Sequence, residues 1–159
     1  MSRTFIVAGL GLLGGSLALA LKKRIPDCRI VAWGRSAARL AEAGRAGLVD
    51  AWCTDAAELP ADAEAAIVCT PVDLIAETVR TLFSVLGPAA YITDVGSTKA
   101  GIAASLAGDS SAERRFVGSH PMAGSEKSGW NNASADLFCG CTVAIAPTGA
   151  EDGDVAERV

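Results

Sequence analysis

The stretch Thr4-Phe5-Ile6-Val7-Ala8-Gly9-Leu10-Gly11-Leu12-Leu13-Gly14 decides the fold. Thr4 to Ala8 is apolar and rich in β-branched and aromatic residues, as buried strands are. Gly9, Gly11 and Gly14 follow at once in G-x-G-x-x-G spacing, and the residues after them read as a helix with Leu17, Ala20 and Leu21 on one face. In such a strand-turn-helix unit the first glycine permits a tight turn and the second lets backbone approach a pyrophosphate. The third lets helix and strand pack closely. Amide N–H groups at the helix start then face the phosphate charge. Gly9, Gly11, Leu12, Leu13 and Gly14 are therefore expected to bind a dinucleotide.

The same region imitates a secretory signal. Arg3 precedes an uncharged run from Phe5 to Leu21, and Ala18-Leu19-Ala20 resembles a cleavage site. Four glycines break that run, which is short for a bilayer span, and Lys22-Lys23-Arg24 lies behind it, where basic residues suit a helix carboxyl terminus. A cytoplasmic chain without a membrane segment is the expectation.

Composition agrees with this reading. A chain of 159 residues, 50% of them hydrophobic and 20% charged, is sized for one domain with a real core rather than for disorder. A formal net charge of -4 and the lack of any larger Lys/Arg cluster argue against nucleic acid as a partner. Aromatic residues make up only 5%, while Gly and Ala are plentiful, which favours helices lying close on a sheet. The five cysteines, Cys28, Cys53, Cys69, Cys139 and Cys141, include no Cys-x-x-Cys, and one histidine cannot complete a zinc site, so no metal is expected. They read as reduced, mostly buried thiols, with Cys139 and Cys141 projecting to one face of a strand.

A second strand, Arg29 to Trp33, follows at the distance of a βαβ unit. An NAD site carries Asp or Glu near this strand's end to bind the ribose 2′-hydroxyl, but here the chain reads Trp33-Gly34-Arg35-Ser36. The planar fork of Arg35 suits a 2′-phosphate and Ser36 adds a hydroxyl, so NADP is preferred and NAD remains possible. Ser36 is equally placed to cap a helix.

Downstream, Ser36 to Ala46 reads as a helix stopped by Gly47, and 48–62 as short elements. Ala65 to Cys69 is a compact apolar strand closed by Thr70-Pro71. Ile75, Val79, Leu82 and Leu86 recur at helical spacing up to Gly87-Pro88. Tyr91 to Val95 is a strand, Lys99 to Ala107 a helix, Phe116 to Gly118 a short strand and Cys141 to Ala146 another. This alternation predicts an α/β fold, a doubly wound, mostly parallel sheet of the Rossmann type. Ligands bind beyond the carboxyl ends of such strands, where Gly9 to Gly14, Thr70-Pro71, Gly96 to Lys99 and Ser119-His120-Pro121 would gather.

The most specific feature is Gly118-Ser119-His120-Pro121-Met122-Ala123-Gly124-Ser125-Glu126-Lys127-Ser128-Gly129. Together with Gly9 to Ser16 and Asp94-Val95-Gly96-Ser97-Thr98-Lys99, it closely resembles the prephenate/arogenate dehydrogenase family of tyrosine biosynthesis. Asn132 to Phe138 and Ala146-Pro147-Thr148 continue the pattern in family order. The resemblance implies oxidative decarboxylation of prephenate to 4-hydroxyphenylpyruvate, or of arogenate to tyrosine, with a nicotinamide cofactor. Neutral histidine suits the removal of a carbinol proton, and His120 is the only histidine.

By the same resemblance, Ser97 orients His120 and the substrate hydroxyl, and Ser125, Glu126 and Lys127 border the substrate. Thr70 and Pro71 lie along the cofactor. Ser97 also fits a helix N-cap, and the loop residues fit an ordinary solvated loop. The resemblance further implies a helical second domain that carries the dimer interface and an arginine for the substrate's ring carboxylate. That domain is absent from this chain, so a homodimer is expected only where it is present. The expected division is 1–148 for the dinucleotide-binding domain and 149–159 for the lead-in to the next. The competing reading is a chain that binds dinucleotide, as a fragment or a sensing module, without turnover.

Overall fold

The computed structural model describes residues 3–147 and 154–159. Seven strands, β1 (Thr4–Ala8), β2 (Arg29–Trp33), β3 (Ala51–Cys53), β4 (Ala65–Val68), β5 (Tyr91–Asp94), β6 (Phe116–Pro121) and β7 (Val143–Ala146), form one sheet in the order β3-β2-β1-β4-β5-β6-β7. All neighbours pair in parallel except β6 and β7, which are antiparallel. The order turns back at β1, so the crevice between β1 and β4 is the topological switch point where such sheets take ligands. The doubly wound, mostly parallel sheet expected from the sequence is present.

Side chains alternate across the sheet and meet helices on both faces. Ile6, Ala8, Val31, Ala66, Val68, Ile92 and Phe116 point to α3 (Ile75–Val85), α4 (Ala100–Leu106) and α5 (Ser110–Arg115). Phe5, Val7, Ile30, Ala32, Ala65, Ile67 and Val117 point to α1 (Leu12–Arg24), α2 (Ala37–Arg45) and α6 (Val155–Arg158). Ile6, Ile30 and Ile92 are fully buried, each side chain contributing about 1.5–3 kcal/mol. The sheet is thus a rigid platform for its loops.

Several elements differ from the sequence expectation. On α1 the fully covered positions are Gly14, Gly15, Ser16 and Ala18, with Leu17 and Leu21 only partly buried, because small residues let this helix lie close to β1. A short β3 and a 3-10 turn, Ala56–Glu58, occupy 48–62, and α5 is an added helix capped by Asp109. β6 runs three residues past the expected Gly118, because β7 pairs with it beyond the end of β5. His120 therefore sits inside a strand, opposite Ala144.

The cysteine expectation is corrected in part. The ladder starts at Val143, so Cys139 and Cys141 precede the strand in a turn and share no strand face. Cys53 is buried, Cys28, Cys69 and Cys141 are partly buried and Cys139 is exposed, and all five are free thiols. The expected boundary between 148 and 149 lies outside the described residues. Past it, Val155 is buried and the Tyr91 hydroxyl donates to the Arg158 carbonyl at 3.3 Å, so the chain end rests on the sheet. Among the described residues no helix is long and apolar enough to cross a membrane.

Candidate functional site

The glycine turn is built by close contact. Gly9 adopts φ +96°, and a Cβ there would lie 2.8 Å from the Cys69 carbonyl carbon and oxygen. A Cβ on Gly14 would stand 2.1 Å from the Gly9 carbonyl oxygen. Both positions are closed to any side chain. Gly11 is the opposite case, since its Cβ would meet nothing within 4 Å. It is the N-cap of α1 with no side-chain cap, so no side chain there accepts from the first N–H groups of that helix.

Beside Gly9, just past β4, stands Thr70, whose N lies 2.9 Å from where a Gly9 Cβ would be. Its hydroxyl is the one buried side-chain polar atom without a hydrogen-bond partner among the described residues. A buried orphan hydroxyl is costly unless a ligand completes it. The open Gly11 face, the helix N-terminus and the Thr70 hydroxyl together fit a dinucleotide phosphate and ribose. Pro71 is exposed and leads into a 3-10 turn, Val72–Leu74, ahead of α3. The thiol of Cys69 beneath the turn is pushed up to about 12 by burial, with the Asp94 carboxylate adding to it.

At the end of β2, Ser36 is the N-cap of α2, accepting from the Arg39 N–H at 3.5 Å. Arg35 is exposed and makes no hydrogen bond or ion pair to another described residue. Its guanidinium is therefore free to meet an anion.

The most connected group on the rim is Asp94, the fully buried last residue of β5. Its Oδ2 accepts the Gly96 N–H at 2.8 Å and pairs with the Lys99 ammonium, while its Oδ1 accepts the Ser119 N–H at 3.1 Å. The Ser119 hydroxyl donates to the Asp94 carbonyl at 2.6 Å, and the Thr93 hydroxyl donates to the Val117 carbonyl at 2.7 Å. The parallel ladder ends at Thr93 and Val117, so side chains carry the β5–β6 connection beyond it. A Cβ on Gly118 would lie 3.0 Å from Lys99 Cδ, a tight contact that the Lys99 stem would have to relieve.

One carboxylate thus grips the residue before Ser97 and the residue before His120. Ser97 is exposed and His120 half-exposed, and neither side chain has a hydrogen bond to another described residue. Strand alternation puts His120 on the face of Phe116 and Gly118. Ser125, Glu126 and Lys127 are exposed in the loop after β6, where the Lys127 N–H donates to Ser125 Oγ at 3.2 Å. No described contact ties that loop to His120.

From there the chain returns across α1. The Ser134 N–H donates to the buried Ser16 Oγ at 3.0 Å, and Lys23 pairs with Asp136 at 2.7 Å. A Cβ on Gly15 would lie 3.0 Å from the Cβ atoms of Trp130 and Ala133. Sequence reasoning assigned no role to Asp94, Ser119 or this strap. The available signal was a charged residue ending the apolar strand Tyr91-Ile92-Thr93, and a second glycine beside Gly14.

A glycine turn at the switch point and a polar rim on a doubly wound sheet make this a Rossmann-type dinucleotide-binding domain. Residues 17–159 match the family described as "Prephenate dehydrogenase, nucleotide-binding domain", and the chain belongs to that family. It is 34% identical to a prephenate dehydrogenase of Bacillus subtilis over 100% of this chain and 43% of that protein. A cyclohexadienyl dehydrogenase of Zymomonas mobilis is 29% identical over 89% of this chain and 48% of its own length. Among solved structures, prephenate dehydrogenase from Aquifex aeolicus, in complex with hydroxyphenyl propionate and NAD+, superposes with a TM-score of 0.90 at 28% identity, covering 99% of this chain and 55% of that one. Synechocystis arogenate dehydrogenase gives 0.82 at 31% identity, covering 96% and 52%. The chain spans less than half the length of these two curated relatives.

Proposed function

We propose that this chain is the nucleotide-binding part of a dehydrogenase that oxidatively decarboxylates prephenate or arogenate, with NADP preferred over NAD. Residues 1–148 bind the dinucleotide and 149–159 lead toward a helical domain. That domain would supply the dimer interface, in a cytoplasmic enzyme without nucleic-acid or membrane partners. The observation that carries the reading is the Asp94 grip, which ties the backbone beside Ser97 to that beside the sole histidine, His120, on the rim that holds the glycine cradle.

Gly9, Gly11, Leu12, Leu13 and Gly14 would hold the pyrophosphate, Thr70 and Pro71 the adjoining sugar, and Arg35 with Ser36 the 2′-phosphate. The bound nicotinamide supplies an acceptor for hydride. His120 takes the proton of the ring 4-hydroxyl as that carbon loses hydride, and the C1 carboxylate departs as carbon dioxide while the ring becomes aromatic. Ser97 orients the hydroxyl toward the imidazole. Ser125, Glu126 and Lys127 border the substrate, and the Lys127 ammonium attracts its carboxylates.

Reduced cofactor formed from NADP with prephenate, then with arogenate, tests the reading, and His120→Asn is expected to abolish the signal. Arg35→Ala is expected to weaken NADPH more than NADH; equal weakening removes the coenzyme preference. A second reading is dinucleotide binding without turnover by the residues present here, which span 43% of the Bacillus subtilis relative. NADPH binding with no turnover on either substrate would select it.

A further inference from the structure

We propose that Asp94 is a positioning residue that fixes Ser97 relative to His120, with Lys99 as its counter-charge. The proposal rests on the reading of Ser97 and His120 as the pair that meets the substrate hydroxyl. Ser97 follows Gly96, whose N–H is bound to one carboxylate oxygen at 2.8 Å. His120 follows Ser119, whose N–H is bound to the other at 3.1 Å. The two oxygens of a carboxylate stand in fixed geometry, so a carboxylate accepting on both sides sets two backbone points relative to each other. No main-chain pairing does this, because the β5–β6 ladder stops at Thr93 and Val117 and β6 continues against β7 alone.

The charge balance supports a dedicated role. Asp94 is fully buried, and a buried carboxylate is retained only where cations and N–H groups compensate it. Lys99, with 22% side-chain exposure, reaches it from the start of α4, and Gly118 is bare where the Lys99 stem passes. A strand end that needed only closure would be served by an apolar side chain. The carboxylate therefore brings three segments, β5, the turn before α4 and β6, to one point.

The test uses the full chain with Asp94→Asn, which keeps the shape and one acceptor oxygen, and with Lys99→Arg, which keeps the cation. His120 is the only histidine, so its ring C2 proton is a single assignable line in the proton spectrum. In Asp94→Asn the His120 ring line and the Ser97 and His120 amide signals are expected to move together and their 15N heteronuclear NOEs to fall. Signals from β1 to β3 stay in place, and Lys99→Arg retains the wild-type pattern. In turnover of prephenate, kcat is expected to fall on the order of 10- to 100-fold, the loss set by a misplacement of about 1 Å, with KM for NADP changed less than about twofold. Ser97 and His120 signals that stay at wild-type positions in Asp94→Asn, or movement of only one of them, would overturn the proposal, as would a loss confined to thermal stability. Asp94→Ala extends the series if it folds; the isosteric variant decides if it does not. A wild-type chain that shows the coupled signals but turns over neither prephenate nor arogenate removes the functional reading and leaves the positioning claim standing.

Discussion

Asp94 accepts two hydrogen bonds from Ser119: the Ser119 N–H donates to the Asp94 carboxylate at 3.1 Å and the Ser119 hydroxyl donates to the Asp94 carbonyl at 2.6 Å. Ser119 is only 5% exposed, so water has little access to groups left unpaired there. Ser119→Ala removes the hydroxyl donor and strands a buried carbonyl, with an expected cost of about 1–3 kcal/mol in urea unfolding. A midpoint within error of wild type would mean that the carbonyl finds another donor.

Gly11 and Gly14 separate binding from folding. Alanine at Gly14 puts its Cβ 2.1 Å from the Gly9 carbonyl, a clash only backbone movement relieves, and Gly14→Ala is expected to unfold at markedly lower temperature. Alanine at Gly11 meets no protein atom within 4 Å and has φ -97°, so Gly11→Ala is expected to keep the wild-type melting temperature. The same methyl would fill the approach proposed for the pyrophosphate, and NADPH titration by fluorescence should show binding at least about tenfold weaker, the equivalent of ~1.4 kcal/mol. Wild-type affinity in Gly11→Ala would move the phosphates elsewhere.

These contrasts show which parts of the molecule local sequence encodes. The β1 turn is legible because each glycine answers to a neighbour close in sequence or to one predictable crossover, and the apolar runs of β4 and β5 specify burial by themselves. The extension of β6 through His120 is not local, since it depends on β7 arriving antiparallel from more than twenty residues downstream. Asp94 reads from sequence as a strand-ending charge, and its partners Gly96, Lys99 and Ser119 become visible only when β5 and β6 lie side by side. The cysteines mislead for the same reason. Cys139 lies in a turn where its thiol meets Asp136 and Arg24, contacts that no periodicity announces.

Cys69 makes alkaline stability a measure of how closed the turn is. Its thiol rises from an ordinary 9.0 to about 12, chiefly through burial. A group with a raised folded-state value contributes stability that is fully present below its unfolded value and is lost as pH climbs toward the folded one. Stability is therefore expected to fall between about pH 9 and pH 12, and Cys69→Ala to flatten that decline. Burial also raises Tyr91, so a residual slope is expected in the variant. Urea unfolding at intervals across this window measures it; an unchanged slope in Cys69→Ala would mean that the thiol is open to solvent.

Thr70 gives a test in which stability and affinity move in opposite directions. Its hydroxyl is buried without a partner, so Thr70→Val exchanges a stranded polar atom for a methyl of similar shape. Removing an unsatisfied buried hydroxyl in this way is neutral or stabilising, by up to about 1–3 kcal/mol. In the loaded protein the hydroxyl would hold the dinucleotide, and its loss removes a hydrogen bond in a desolvated site, an expected weakening of NADPH binding of about 3- to 10-fold for a net ~0.5–1.5 kcal/mol. Thermal unfolding with and without NADPH reads both quantities on one sample. The free protein should melt at or above the wild-type temperature, and the upward shift on adding NADPH should shrink, since that shift depends on the ratio of ligand concentration to Kd. A Thr70→Val chain that loses stability while keeping the full NADPH shift would show that the hydroxyl serves the fold and not the cofactor.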